Sequence, residues 1–362
     1  MRGRNGPLIA VVAGVAVVAI ALGATAGALR GPRAQTGGAG PLPPADAPTT
    51  SRPVELATLS REREAGITSV RGRLVSGGIG NPVRVPGKGE IIAAGRLWDL
   101  TLVVVANSAT SSELLTLDAE GERVARIPKV DSLVTSADGQ TAAYASGGRY
   151  AETYGAGGTV FFQRPGHTPT ARLERPRVHD LAVLGVVGAS VYFRSAPTAE
   201  APTQLFRWDA DKDEVAEVKK VVNPTSVSPD GSLAAGLAVF TDSGSCSAVT
   251  DLGEARQRWR TCQHQLYGFS PGNRLAVGGP PGSSPYGDEV ATVLDVETGA
   301  VLRAWTGRSI RGMVAEDDDH VLLAWFDRAE QTARSAIVRC TVSTGECALA
   351  GPVATEPLLL GS

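Results

Sequence analysis

From about residue 90 to residue 352, short runs of Val, Leu, Ala, Tyr and Phe alternate with polar turn residues roughly every 8–12 positions. Nothing in this region shows the 3.6-residue spacing of an amphipathic helix, so the pattern predicts an all-β chain. The clearest punctuation lies in "SVSPDGSLAAGLAVF", where Ser228-Pro229-Asp230-Gly231 separates two apolar runs. Ser at the first position, Pro with its preset φ at the second and Gly at the fourth suit a type I turn. Ser136-Ala137-Asp138-Gly139, Ser270-Pro271-Gly272-Asn273 and Ala315-Glu316-Asp317-Asp318 stand in the same setting, and weaker copies begin at Ala94 and Gly185. A second turn series, at Asp118, Asp209, Asp251, Asp295 and Thr341, follows the first in step; in the remaining copy Pro165-Gly166 makes the turn.

Two turn series locked to one period of about 44 residues define a unit of four antiparallel strands, A to D. One four-stranded sheet cannot bury both its faces, but such units stacked in a ring bury a shared core. The expected fold is therefore a β-propeller of four-stranded blades. Six full blades fit residues 90–352; a seventh is possible, because strand-like "ITSVRGRLVSG" and "PVRVPG" precede them. "SVSPDGSLAAGLAVF", "TSADGQTAAYAS" and "LDVETGAVLRAW" resemble the repeats of bacterial TolB-like and WD-repeat-like propellers. In those, S-P-D-G joins strands A and B, and D-x-x-T-G joins C and D. The Trp-Asp pairs Trp98-Asp99 and Trp208-Asp209 do not stand at the repeated position of true WD repeats. The resemblance implies scaffold or binding roles and carries over no catalytic residue.

The first 29 residues break the pattern. Residues 7–29 hold no charge, and as a helix they are long enough to cross a hydrocarbon core of about 30 Å. They read as a transmembrane anchor, or as a signal peptide cut near Ala24-Thr25-Ala26. Residues 30–53, rich in Gly, Pro, Ala and Thr, read as a disordered linker, and 54–362 as the propeller.

The four cysteines sharpen the compartment. Cys246 and Cys262 flank the C–D turn of the fourth blade symmetrically, and Cys340 and Cys347 that of the sixth. Residues facing each other across a hairpin approach within disulfide reach, which predicts Cys246–Cys262 and Cys340–Cys347. A Cys₄ zinc site would use C-x-x-C pairs, and there are none. Disulfides belong to an oxidising compartment, so the propeller is expected outside the cytoplasm, at the cell membrane or secreted.

Chemistry is hard to place. The net charge of −2 argues against a nucleic-acid partner. There is no G-x-S-x-G elbow, no H-E-x-x-H, no P-loop and no dinucleotide fingerprint, so no catalytic residue, metal or cofactor is assigned. The acidic run Glu316-Asp317-Asp318-Asp319 could in principle take Ca²⁺, but a solvated turn explains it as well. The B–C loops 146–158, 195–203 and 278–289 are long and fall on one face. Arg149, Tyr150, Tyr154 and Tyr286 on them are candidate binding residues, since Arg and Tyr are favoured at interfaces. The expected function is a membrane-tethered binding or scaffold module for a protein or cell-envelope partner. The alternative is a secreted propeller hydrolase or lyase working at the tunnel mouth.

Overall fold

The structure is a computed structural model that describes residues 51–108, 110–147, 157–241, 244–282, 284, 287–328 and 333–361. The apolar segment 1–29 and the linker to residue 50 lie outside the described residues, among which no helix is long and apolar enough to cross a membrane.

The described chain is built almost wholly of antiparallel strands arranged in four-stranded blades. There are seven of these, not the preferred six. Blades one to four are separate sheets whose innermost strands are Glu90–Leu97, Val130–Thr135, His179–Val187 and Pro224–Val227. Blades five and six share one long strand, Val301–Ala315. Its first half is the outer strand of blade five and its second half the inner strand of blade six. The seventh blade takes its inner strand, Leu358–Leu360, from the end of the described chain and its other three, Ser69–Arg71, Leu74–Ser76 and Val83–Arg84, from the beginning. Its missing A–B turn is why the repeat did not reveal it. The ring closes where the Gly361 N–H donates to the Thr68 carbonyl.

The strongly punctuated turns fall where the repeat puts them. The two weak copies do not: Ala94 and Gly185 lie inside strands, and the turns are Trp98-Asp99 and Gly188-Ala189. A two-residue hairpin leaves no room for the Ser-x-Asp-Gly signature, so the apolar run in these two blades carries no mark of where its turn falls.

The repeated turn has a physical purpose. In blade four the Ser228 hydroxyl donates to Asp230 at 2.7 Å, Asp230 accepts the Ser232 N–H at 2.9 Å, and Ser228 Oγ accepts the Leu233 N–H at 2.9 Å. Partial burial works against the Asp230 charge, but these donors outweigh it and hold the carboxyl at about 2. Blade two repeats the lock through Ser136 and Asp138. Blade five has Ser270-Pro271-Gly272-Asn273 and no acid of its own. There Asp318 of blade six supplies the carboxylate, accepting from the Ser270 hydroxyl at 2.6 Å and the Gly272 N–H at 3.1 Å. A side chain at Gly272 would collide with Asp318. Asp318→Ala is therefore expected to cost about 1–3 kcal/mol, as an unmet buried hydrogen bond does. Ser270→Ala and the double variant complete a mutant cycle with it, because Asp317 next door is itself bonded to Asp319 and His320 and would be no neutral control. Urea midpoints measure the three variants, and strictly additive shifts would refute the cross-blade lock.

Cores lie between blades. Phe162, Leu181, Phe193 and Trp208, for example, are buried together between blades two and three. Full burial of each such side chain stabilises by roughly 1.5–3 kcal/mol. Both disulfides are formed as the hairpin placement predicts. Cys340 and Cys347 are direct cross-strand partners. Ser247 pairs with Thr261, so Cys246 and Cys262 continue the same register.

Candidate functional site

The strand order sends every B–C and D–A connection to one end of the ring and every A–B and C–D turn to the other. At the loop end four B–C connections are long: 147–157, 197–203, 280–287 and 327–334. The last, in blade six, was not anticipated; its strands read as one apolar stretch followed by charges. Arg149, Tyr150, Tyr154 and Tyr286 all lie outside the described residues, although their loops spring from this end.

What the structure does define is how rigidly these loops are rooted. In blade five Asp288 accepts the Ser284 N–H at 3.0 Å and the Tyr267 hydroxyl at 2.9 Å. Burial pushes its carboxyl up, against the pull of those two donors. Gly287 beside it has φ 99°, and a Cβ there would meet Ser309 Oγ at 2.5 Å. In blade six Asp327 accepts both the backbone N–H and Nε of Arg334, each at 2.9 Å, and this pairing holds the carboxyl below its ordinary range. In blade three the Thr203 N–H donates to Asn223 Oδ1 at 3.0 Å, and the Asn223 N–H returns to the Thr203 carbonyl at 2.9 Å. The blade-two loop closes on backbone packing: a Cβ at Gly147 would sit 2.4 Å from the Gly157 carbonyl.

Between the roots stand cations held on carbon surfaces. The Arg311 guanidinium lies 4.1 Å from the Phe326 ring centre, and Arg175 lies 4.8 Å from Phe206 and 5.6 Å from Phe193. Burial disfavours the charge on both. Arg194 donates to Asp180 at 3.1 Å. Burial also lowers His264, favouring the neutral ring. Sequence reasoning missed Asp288 and Arg311. The only signal was Gly287-Asp288 at the point where a loop enters a strand, which looks like any other loop end. The Cys246–Cys262 disulfide sits at this same end.

At the turn end the acidic run is absorbed by structure. Glu316 pairs with Arg339, Asp317 with His320, Asp318 with blade five, and Asp319 accepts the Ser343 hydroxyl. No cluster among the described residues could hold a metal ion. A cavity of about 360 Å³ opens between blades four and five, lined by groups of both signs that include Asp230, Arg258, Arg274 and Glu297. Its Arg258 is committed to Asp251 at 2.9 Å and Glu297 at 2.7 Å.

No described protein family and no curated protein matches this sequence. Solved structures do. An uncharacterized protein of Listeria monocytogenes superposes with a TM-score of 0.51 at 11% identity, over 77% of this chain and 91% of that one. A prolyl endopeptidase gives 0.51 at 14% identity over 84% of this chain, which spans only 50% of that enzyme. TolB of Acinetobacter baumannii gives 0.47 at 16% identity, over 75% of this chain and 66% of that one. Identities this low show the fold alone, a β-propeller.

Proposed function

We propose that the chain is a membrane-tethered, extracytoplasmic binding module that engages a protein or cell-envelope partner through the loop end of its propeller. The observation that carries this reading is the set of long B–C loops gathered at one end, each fixed at its root by a polar lock or by crowded backbone. Variable loops on a rigid scaffold are where recognition usually sits, and pre-ordered roots lower the entropic cost of binding. Two disulfides support an oxidising compartment, and the uncharged segment 7–29 supports the tether.

The test is retention of envelope components by immobilised protein. Cutting loops 147–157 and 280–287 back to their roots is expected to abolish retention with an unchanged thermal midpoint. Equal retention by the wild type and the shortened form would move the partner elsewhere on the molecule.

A further inference from the structure

Trp98 is energetically misplaced for a residue with only a structural role. It opens a two-residue hairpin between Leu97 and Leu100 with φ 55°, a position that favours Gly, Asn or Asp, and its N–H is tied to the Gly139 carbonyl at 2.8 Å. Its surface is 55% exposed, so burial does not offset the strain. Ile79, from the C–D loop of blade seven, is 58% exposed. A Cβ at Gly139 of blade two would lie 3.6 Å from Ile79 Cδ1 and 4.0 Å from the Trp98 nitrogen, so turns from three blades converge here. Strain held in place by its surroundings, with an aromatic left in water, marks a working surface.

The electrostatic setting selects the partner. On the thirteen A–B and C–D turns stand fifteen Asp and Glu side chains against three basic ones, Arg164, Lys212 and Arg274; Glu316, Glu297, Glu254 and Asp211 among the acids are paired with arginines. Asp99, Asp118, Glu120, Glu122 and Asp138 belong to the blades that frame Trp98, and their turns carry no Lys or Arg. The B–C and D–A connections at the other end carry the two signs in near balance.

We propose that Trp98 and Ile79 are the apolar anchor of a second docking surface, at the turn end, for a basic protein segment. The indole face takes an arginine or lysine by cation–π contact, Ile79 packs an aliphatic neighbour, and the acidic turns steer the segment in. This surface is separate from the loop end and does not depend on the reading given for it.

The test uses the full-length chain and a fluorescein-labelled peptide of alternating arginine, leucine and glycine, with glutamate replacing arginine in the control. Anisotropy is expected to show binding of the basic peptide alone, weakening with salt. Trp98→Gly is expected to weaken it by about tenfold or more. The thermal midpoint of that variant is expected to hold or rise by about 2 °C, because glycine relieves the strain. Ile79→Gln, which leaves the backbone alone, is expected to weaken binding in the same direction. Loop-shortened protein is expected to bind the basic peptide as the wild type does. Equal affinity of Trp98→Gly and wild type, no binding of the basic peptide, or equal binding of the acidic one would overturn the proposal. So would sedimentation showing that Trp98 mediates self-association instead.

Discussion

A chain ended at Gly351 is expected not to fold as a propeller. The deletion takes away the inner strand of blade seven, Leu358–Leu360, which carries the hydrogen bonds of Ser69–Arg71. It also removes Leu358 and Leu360 from the cluster containing Phe326 and Ala333, and the Ala354 carbonyl and N–H from Ser335. Three strands of blade seven then present an unpaired inner edge, and blades six and one lose the wall between them. Because each blade buries its faces only against its neighbours, the loss is not confined to one blade. The expected cost is comparable with the whole stability of a domain, roughly 5–15 kcal/mol. The check is thermal unfolding followed by near-ultraviolet circular dichroism. A cooperative transition near the wild-type temperature would show that the ring does not need its clasp. Adding a peptide covering 352–361 in trans is expected to restore part of the signal.

Arg339→Ala is expected to be the most damaging single substitution, at about 3–5 kcal/mol, the usual cost of breaking a buried ion pair from one side. Arg339 and Glu316 side chains are 2% and 6% exposed, with Nε to Oε2 at 2.5 Å. Arg339 also donates to the carbonyls of Arg63 and Glu64, and Glu316 accepts the Gly66 N–H at 2.6 Å. The pair therefore clamps the segment that runs from the outer edge of blade six, where Glu62 and Ala65 bond Leu349 and Ala350, into blade seven. The double variant Arg339→Met with Glu316→Leu is expected to recover part of the loss and no more, since the carbonyls of Arg63 and Glu64 stay unmet. Urea midpoints of the three proteins decide this; full recovery would mean that the clamp on the segment contributes nothing.

The same pair has a pH signature. Burial raises Glu316, but the Arg339 and Gly66 donors outweigh it and leave its carboxyl below the ordinary range. A carboxyl depressed on folding contributes stability that is fully present above its unfolded value, near 4.3, and is lost as pH falls through the folded value. The wild type is accordingly expected to weaken below about pH 4. Glu316→Gln is expected to start less stable and lose less on acidification.

Local chemistry was legible residue by residue. Ser228 and Asp230 announced a turn because a short hydroxyl and a carboxylate two residues apart close it without help from elsewhere. Cys340 and Cys347 announced a disulfide because hairpin register is set by the turn between them. Both disulfides and the strong turns thus followed from contacts short in sequence. The candidate loop face followed from strand order alone, which a repeat supplies. Trp98 was visible as a Trp-Asp pair out of step with the repeat, but its strain and exposure were not.

What only the tertiary structure decided depends on partners far apart along the chain. The seventh blade joins Leu358–Leu360 to Ser69–Arg71, so no repeat unit contains it whole. Asp318 completes a turn of the preceding blade across 48 residues, and Arg339 grips carbonyls 276 and 275 residues away. The acidic run therefore looked like a solvated or cation-binding turn until its carboxylates met their individual partners. The periodic pattern by itself determined a propeller, its strongly punctuated turns and the pairing of its cysteines, because those rest on local register. Ring closure, the locks beneath the loops and the convergence of Trp98, Ile79 and Gly139 were decided only when the blades met. A side chain's meaning there is set by the neighbour that closes over it.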